Sequence, residues 1–250
     1  MITRMSPVAL VAVSLLLTGC GGGAVAATDH PSAATPAPAS TPPASPSSAI
    51  SAEAAPRQLP GVGPQMLARI PAGTEQVVLV TGRAANSPLS TLALYERTDD
   101  GWQQTASWAA HNALKGWSDH HMAGDLRSPI GVYSLTDAGG LLKDPGTKLS
   151  YDQGAGFVSP GTGFEGESLA GSFDYVIAIN YNRQPGTSPL DWTRPLGASR
   201  GGGIWIHVDH GGPTHGCVSI AEDHMKELLR TLDPARHPVV VMGDAASLSH

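Results

Sequence analysis

A stretch of twenty residues near the C-terminus, 201–220, constrains the fold of this chain more than any other segment. It opens with three glycines and runs through a short apolar strand that ends near His207. A Gly-Gly-Pro turn follows, and the chain then reaches Cys217. The stretch therefore predicts a strand, a tight turn and a thiol within one local unit.

The strand predicted at 203–208 has two chemically different faces. Side chains alternate across a strand, so Ile204, Ile206 and Val208 share one face. Trp205 and His207 share the other face. We expect the aliphatic face to lie in the core, and the indole and imidazole to form the wall of a cleft.

The N-terminus has the pattern of an export signal. Arg4 precedes an apolar run at 8–17, which is too short for a membrane span, and a Leu-Thr-Gly-Cys sequence ends at Cys20. That ending resembles the bacterial lipobox, which implies a signal peptide at 1–19 and lipidation of Cys20. An ordinary secretory signal that happens to end near a cysteine is the alternative, and either one predicts an exported protein. With the lipid, the protein is anchored at the outer face of the cell membrane and acts on the cell wall.

A tether and one domain follow the lipidated cysteine. In residues 21–55, 24 of the 35 residues are Ala, Pro or Ser, so there is little apolar surface to offset the entropy of ordering. We therefore expect 20–55 to be the anchor and an extended spacer. Residues 56–250 suffice for one domain, with its core at about 75–243. The net charge of −6 without a basic block argues against a nucleic-acid partner.

Short apolar runs separated by Gly, Pro, Asn and Asp predict a mainly β domain. The first three runs are joined by short turns, which predicts an antiparallel meander. Polar, Gly-rich loops at 111–127, 139–167 and 182–202 are expected to cover the cleft. The predicted strands lie at 76–81, 91–97, 102–109, 127–135, 173–181, 203–208 and 238–242, with a further short strand near Lys148.

One helix is predicted directly after the thiol. Ser219 with Glu222 three residues later fits a capping box, an apolar stripe follows at helical spacing, and Pro234 stops the helix. A helix that begins there would place the positive end of its dipole near Cys217.

The chain has only two cysteines, so lipidation of Cys20 leaves Cys217 as the one thiol of the domain. A free thiol has a pKa near 8.5 and reacts as the thiolate, which a nearby imidazole can generate. Gly216 leaves room for backbone N–H groups to face a developing oxyanion. These groups indicate acyl transfer through a thioester. This reasoning leaves the working base open among His207, His210 and His215, and we expect His210 to face solvent.

At these residues the chain resembles a known family. Ile206-His207 followed by Thr214-His215-Gly216-Cys217-Val218 is similar to the signature of the YkuD-type L,D-transpeptidases. The strand Ser128-Pro129-Ile130-Gly131-Val132-Tyr133 resembles a second motif of that family. The resemblance covers about residues 75–243.

The resemblance implies a β-sandwich-like domain that acts on peptidoglycan stem peptides without a cofactor or a metal. Cys217 would attack the carbonyl of a meso-diaminopimelate residue, release the terminal D-Ala and pass the acyl group to a second stem as a 3→3 cross-link. By position, His207 is the base, held by a backbone carbonyl, and His215 and Gly216 shape the oxyanion site. We expect the Cys217 sulfur within about 4 Å of an imidazole nitrogen.

Two departures from the family pattern concern spacing and a substrate contact. His207 and Cys217 are ten residues apart, fewer than is usual in the family. Ser219 stands where many members have Arg or Asn, so Ser219 and Trp205 are candidates for substrate contacts.

Three alternatives remain at this point. The same acyl-enzyme would be an L,D-carboxypeptidase if water were the acceptor. A catalytically inactive wall-binding lipoprotein would share the fold without the chemistry. A zinc-dependent cell-wall peptidase would use ligands drawn from His120, His121, Asp125, His207 and Asp209, although no zinc-binding spacing is present.

Overall fold

Strands dominate the part of the chain that the structure, a computed structural model, describes, which is residues 58–250. The predicted signal peptide at 1–19, Cys20 and the tether up to residue 55 lie outside these residues. No helix within 58–250 combines the length and apolar character needed to cross a bilayer.

Eleven strands and three α-helices are present in residues 58–250. The strands are β1 (Gln76–Gly82), β2 (Leu89–Thr98), β3 (Gly101–His111), β4 (Trp117–Ser118), β5 (Ser128–Pro129), β6 (Gly131–Gly140), β7 (Ser150–Gln153), β8 (Val176–Ile179), β9 (Trp205–Val208), β10 (Val218–Ile220) and β11 (Val239–Asp244). The helices are α1 (Pro64–Leu67), α2 (Glu222–Thr231) and α3 (Ala245–Leu248). The mainly β fold predicted from the sequence is confirmed.

The large sheet closes on itself. Its hydrogen-bonded neighbours run β11-β1-β2-β3-β10-β9-β8-β6-β7, and β6 also pairs with β11. Strands β1, β2 and β3 form the antiparallel meander that the short turns predicted. Strands β4 and β5 form a separate two-stranded parallel pair.

Alternating side chains divide the core between the two faces of the sheet. Ile206 and Val208 on β9, with Ile204 just before it, belong to the main apolar cluster, which also takes in the buried face of α2. Trp205 belongs to a smaller cluster on the opposite face, and Cys217 packs against that cluster. The two faces predicted for this strand are therefore confirmed.

The capping box predicted at Ser219 is wrong. Residues 218–220 form strand β10, and α2 begins at Glu222 with Ala221 as an N-cap that makes no side-chain hydrogen bond. Strand β10 pairs with β9 on one side and with β3 on the other, and these backbone hydrogen bonds outweigh the local helical signal. The Ser219 hydroxyl donates to Asp209 instead of capping a helix. The start of the helix is therefore separated from Cys217 by a whole strand.

Strands β9 and β10 are parallel neighbours joined by only nine residues, 209–217. Parallel neighbours usually need a crossover of about a dozen residues or more. Here only three residue pairs are in register, with His207 opposite Ser219. Strand β10 therefore starts opposite Ile206, only two residues before the end of β9, and one strand spacing of about 4.8 Å away. Nine residues can span that short distance, which explains why His207 and Cys217 can be so close in sequence.

A buried ion pair holds the loop at 182–202 against β6. Arg183 Nη1 donates to Asp137 Oδ2 at 2.7 Å, and both side chains are at most 3% exposed. The same carboxylate oxygen accepts from the Gly186 N–H at 2.9 Å. Because this loop supplies part of the cavity described below, the pair is a structural support for the site.

Asp137→Asn should destabilise the domain by about 3 kcal/mol or more, because it leaves the Arg183 cation buried without a counter-charge. Lys148→Ala is the matched control. It breaks an exposed ion pair with Asp233 (N···O 2.6 Å) and should cost less than about 1 kcal/mol. Urea unfolding of the three proteins measures both changes, and equal losses for the two variants would contradict the structural role given to the buried pair.

Candidate active site

The Cys217 thiol lies between the end of the glycine stretch and the start of β9. Its sulfur accepts a hydrogen bond from the Trp205 N–H at 3.4 Å and donates to the Gly203 carbonyl at 3.6 Å. Burial raises the pKa of the thiol to about 11, against a smaller opposing effect of the Trp205 N–H. The thiol is therefore protonated at neutral pH, and the helix-dipole activation expected from the sequence is absent because the helix starts at Glu222.

His207 is buried in β9 with a fixed tautomer. Its Nδ1 lies 2.8 Å from the Val208 carbonyl oxygen. A carbonyl only accepts hydrogen bonds, so Nδ1 carries the proton and the neutral ring keeps its lone pair on Nε2. Burial lowers the pKa of His207 to about 4, against the opposing effect of the Val208 carbonyl. The imidazole is therefore neutral and able to accept a proton at neutral pH.

The structure places His207 and Cys217 on the same side of the sheet without a hydrogen bond between them. Cys217 immediately precedes β10, where Ser219 is the ladder partner of His207. Phe173 contacts the rings of both Trp205 and His207, which lie in one layer with the thiol. Within residues 58–250 the hydrogen bonds of the thiol go to backbone groups, and the imidazole contact expected from the sequence is not among them.

His210 is not the solvent-facing residue that its glycine-flanked turn indicated. Its ring stacks on His207 with centroids 5.8 Å apart and an interplanar angle of 11°. Its Nδ1 lies 3.1 Å from Glu167 Oε1, and its side chain is only 5% exposed. His210 therefore packs behind the candidate base, held by a carboxylate from the 139–167 loop.

His215 and Gly216 differ sharply in exposure. His215 is exposed, and its ring packs on Phe164 with centroids 4.5 Å apart. A methyl group at Gly216 would lie 2.9 Å from Ile204 Cδ1, so only glycine fits without a shift. Among the described residues, the N–H groups of 215 and 216 have no hydrogen-bond acceptor. Two donors next to the thiol are thus free for a ligand oxygen.

A polar network fixes both ends of the 209–217 connection. Asp209 Oδ1 accepts from the Ser219 hydroxyl at 2.6 Å and lies 2.8 Å from His111 Nδ1. Burial acts to raise the pKa of Asp209, but the hydrogen bonds of His111 and Ser219 outweigh it and lower that pKa to about 2. The hydrogen bond to Asp209 raises the pKa of His111. Ser219 is therefore a buried structural residue, which argues against the substrate contact suggested for it.

A cavity of about 450 Å³ opens beside the thiol. Cys217, Gly216 and His215 line it. Trp205, His207 and Ser219 do not, so the cleft wall expected from the indole and imidazole of β9 is wrong for this cavity. The remaining lining residues come from the 111–127 loop, the 182–202 loop and the glycine stretch: His121, Ala123, Gly124, Leu126, Trp192, Arg194, Ala198, Gly201, Gly202, Gly203 and Ile204. Two of the three loops expected to cover the cleft therefore form its walls, whereas the 139–167 loop contributes no lining residue.

Sequence reasoning missed Arg194, Trp192 and Leu126 as parts of the site and considered His121 only as a zinc ligand. His121 is buried in the cavity wall with its Nδ1 3.0 Å from Asp125 Oδ1. Leu126 has a φ of 60°, an unusual backbone conformation for a branched residue. None of these residues belongs to a motif with fixed spacing, so the sequence carried no signal for their proximity to the thiol.

The ligands considered for a zinc site do not form one cluster. Within the described chain, no group of three or more His, Cys, Asp or Glu side chains is arranged to hold a metal ion. His121 pairs with Asp125, whereas Asp209 pairs with His111. These two histidines therefore each lie beside one carboxylate, in separate parts of the fold.

The fold and site define a mainly β domain with one cavity-facing thiol and a buried, neutral histidine. The family model described as the YkuD L,D-transpeptidase catalytic domain matches residues 93–241, which is more than half of the chain. The chain therefore belongs to the YkuD family of L,D-transpeptidase catalytic domains. L,D-transpeptidases of this family act on peptidoglycan peptides.

Comparison with solved structures finds a remote likeness. The structure of Bdellovibrio bacteriovorus Bd1075 is 17% identical, with a TM-score of 0.40, and the match covers 74% of this chain and 53% of that chain. This chain thus spans about half the length of that protein, and so weak a likeness adds nothing to the family assignment. No curated protein sequence matches the chain significantly.

The depressed pKa of His207 predicts a loss of stability in acid. The unfolded chain takes up a proton near pH 6.5, but the folded chain does so only near pH 4, so the unfolding free energy falls as the pH drops between these values. The expected contribution is about 3 kcal/mol, measured by urea unfolding from pH 7 to pH 4.

His207→Asn is the reference protein for this measurement. Asn keeps a donor for the Val208 carbonyl but does not titrate, and the other ionisable groups are shared by both proteins. Between pH 7 and pH 4, the unfolding free energy of the parent should fall by about 3 kcal/mol more than that of the variant. Parallel pH profiles would contradict the buried, neutral state of His207.

The Asp209 network predicts a raised pKa for His111, which histidine NMR can measure. Its ring should titrate above 6.5 in the parent, and its contribution to stability should be present below that pH and lost as the pH rises through the folded pKa. Asp209→Asn should lower the His111 pKa, because the hydrogen bond that raises it most is weakened and the carboxylate charge is lost, which leaves burial opposed by Glu165 and Glu167. An unchanged His111 titration in Asp209→Asn would refute the ion pair.

Proposed function

We propose that this protein is an L,D-transpeptidase that forms 3→3 cross-links between peptidoglycan stem peptides through a thioester on Cys217. The observation that carries the proposal is a thiol at the wall of a cavity of about 450 Å³ in a YkuD-family domain. The substrate is a stem peptide whose meso-diaminopimelate carbonyl is bonded to a terminal D-Ala.

Acylation begins when the Cys217 sulfur attacks that carbonyl carbon. The thiol proton passes to Nε2 of His207, and the carbonyl oxygen becomes an oxyanion. When the intermediate collapses, the C–N bond to D-Ala breaks and His207 returns the proton to the leaving amine. The second half reverses these steps with the side-chain amine of another stem as nucleophile, so the thiol is regenerated and the cross-link is formed.

Two properties of the resting site support proton transfer during the attack rather than before it. Burial holds the Cys217 pKa near 11 and the His207 pKa near 4, and both shifts disfavour a thiolate–imidazolium pair. The Nδ1–H tautomer set by Val208 leaves Nε2 unprotonated, as a general base requires. As the S–C bond forms, positive charge develops on the sulfur, so the thiol proton becomes acidic enough to pass to Nε2 of His207.

Stabilisation of the oxyanion is assigned to the N–H groups next to the nucleophile. The N–H groups of His215 and Gly216 are unpaired within residues 58–250. The segment is held at Thr214, whose hydroxyl donates to the Cys217 carbonyl at 2.7 Å and whose N–H donates to the Asn112 carbonyl at 3.0 Å. Donors fixed before the reaction need no reorganisation when charge develops. His215 contributes through its backbone, while its exposed ring packs on Phe164.

The proposed place of action is the cell wall at the outer face of the cell membrane. The Leu-Thr-Gly-Cys sequence supports lipidation of Cys20, and the Ala/Pro/Ser-rich residues up to 55 supply a spacer. A spacer of this composition lets the domain reach stem peptides away from the membrane. Mass spectrometry of the cell-derived protein tests the anchor, since a lipid mass should be attached at Cys20.

The acyl-enzyme proposal predicts a covalent adduct with a carbapenem. Intact-mass measurement of the full chain should show one carbapenem added to the parent protein and none added to Cys217→Ala. His207→Asn should form the same adduct more slowly, by about 100-fold or more, because the general base is missing. An adduct on Cys217→Ala, or the absence of an adduct on the parent, would contradict the acyl-enzyme proposal.

Product analysis with two tetrapeptide stems identifies the acceptor. A dimer that carries the 3→3 linkage, together with free D-Ala, is the expected result. Tripeptide and D-Ala without dimer would instead identify an L,D-carboxypeptidase, with water accepting the same acyl group. Intact substrate alongside a correctly folded protein would identify a wall-binding domain without catalysis.

A further inference from the structure

Arg194 is the one permanently charged residue among the described residues that line the cavity. The rest of that lining consists of glycines, apolar side chains, two imidazoles and the thiol, and it includes no Asp or Glu. The cavity therefore presents a fixed positive charge to whatever occupies it, in a chain whose net charge is −6.

One edge of the Arg194 guanidinium is unoccupied in the described chain. Nη1 donates to the carbonyls of Asp191 at 3.0 Å and Thr193 at 2.9 Å. Nε and Nη2 have no hydrogen-bond partner within residues 58–250, and no carboxylate there lies within 4.0 Å of the guanidinium. The Nε–Nη2 edge is one of those that bind a carboxylate through two parallel hydrogen bonds.

This free edge lies close to the nucleophile. Three successive glycines precede β9, all with positive φ values (66°, 144° and 68°), so their backbone follows a path that other residues rarely adopt. The Arg194 side chain packs against Gly202 where a side chain would otherwise be, and Nη2 is 3.6 Å from the Cβ position of Gly203. The Gly203 carbonyl accepts the hydrogen bond of the Cys217 thiol, so the guanidinium and the sulfur both lie against this glycine.

The loop around Arg194 is held in place before any ligand binds. The guanidinium lies over the Trp192 ring at 4.9 Å. Asn182 Nδ2 donates to the carbonyls of Gly197 at 3.0 Å and Gly201 at 2.6 Å, and the Tyr181 hydroxyl donates to the Arg200 carbonyl at 2.9 Å. Little conformational entropy is therefore left to lose when an anion binds.

We propose that Arg194 binds a free carboxylate of the donor peptide, one residue away from the scissile carbonyl. This inference rests on the proposed acyl transfer at Cys217 and adds a specificity determinant to it. The free carboxylate nearest the scissile bond of this donor is the terminal carboxylate of the leaving D-Ala. Its binding requires the donor to end one residue after the scissile bond, which selects against longer stems.

Three donor peptides test the assignment with the purified full chain in detergent. They are a tetrapeptide stem with a free C-terminus, the same stem with a C-terminal amide, and a stem amidated on the side-chain carboxyl of diaminopimelate. The first and third peptides should acylate the parent with similar kcat/KM values. The C-terminal amide should have a kcat/KM about tenfold to a hundredfold lower, as expected for the loss of two charged hydrogen bonds.

Arg194→Gln should lower kcat/KM for the free acid by the same factor. It should change kcat/KM for the C-terminal amide by less than about threefold. Arg194→Lys should restore part of the loss, since it keeps the charge without the two-pronged geometry. Arg97→Gln is the matched control, because Arg97 is exposed and lies over Trp102 at 5.5 Å on strands β2 and β3. Arg97→Gln should leave kcat/KM unchanged for both the free acid and the C-terminal amide. Thermal melts confirm that each variant is folded.

Equal losses for the acid and the C-terminal amide in Arg194→Gln, or no loss for either, would overturn the assignment. A lower kcat/KM for the stem amidated on diaminopimelate, in place of the C-terminal amide, would also overturn it. That result would place the side-chain carboxylate of diaminopimelate at Arg194.

Equilibrium binding to Cys217→Ala separates this inference from the proposed function. That variant should bind the tetrapeptide acid at least tenfold more tightly than its C-terminal amide, by fluorescence of the exposed Trp192, and Cys217→Ala/Arg194→Gln should bind both equally. If the parent forms no acyl-enzyme but this difference is found, the proposed function fails and the carboxylate site stands. If acylation proceeds and the difference is absent, the carboxylate site alone fails.

Discussion

The parallel pairing of β9 with β10 is the constraint on which the site depends. It brings the end of one strand, where His207 lies, beside the start of the next, which Cys217 precedes. Nine residues suffice for the connection because the two strands share only three residue pairs. Asp209 ties the connection to Ser219 at its far side and to His111 on the neighbouring strand β3. A short interval that looked unfavourable in the sequence is thus a compact and well-supported turn.

Burial sets the electrostatics of both reacting groups in the same sense, toward neutrality. A thiol and an imidazole taken out of water each prefer the uncharged form, so their pKa values move apart. Backbone carbonyls then decide the proton positions, with Val208 fixing Nδ1–H and Gly203 accepting the thiol hydrogen bond. The proposed reaction therefore relies on substrate binding to bring about proton transfer. The Arg194 cation would add a charged group to the cavity wall beside Gly203, where it can bind a carboxylate of the substrate.

Local patterns predicted what depends on local geometry. Strand alternation placed Ile206 in the core and Trp205 on the opposite face, and the turns after β1 and β2 predicted the meander. The capping box failed because Ser219 belongs to a strand whose partners lie elsewhere in the chain, and a pairing across the sheet outweighed a four-residue signal. The resemblance to the YkuD family supplied the nucleophile and the base as hypotheses, and the match over residues 93–241 supports the family rather than each role.

The parts of the site that the sequence missed come from long-range contacts. His111 and Asp209 are 98 positions apart, and the 111–127 and 182–202 loops meet beside the cavity, where the Ala123 N–H donates to the Ser199 carbonyl at 2.9 Å. Nothing in the spacing of Arg194, Trp192 or His121 connects them with Cys217. Their proximity is a consequence of sheet closure and of the buried Arg183–Asp137 pair that holds one loop.

The ionisation of Cys217 tests the central claim most directly. Thiolate absorbance at 240 nm, taken as the difference between the parent and Cys217→Ala, should be absent at pH 7 and rise only above about pH 9, toward a midpoint near 11. Subtracting the variant removes the tyrosine signal, which both proteins share. Such a curve would establish a neutral resting thiol whose proton is transferred during attack. A thiolate already present at pH 7, with a midpoint below that pH, would show a preformed ion pair and contradict the account.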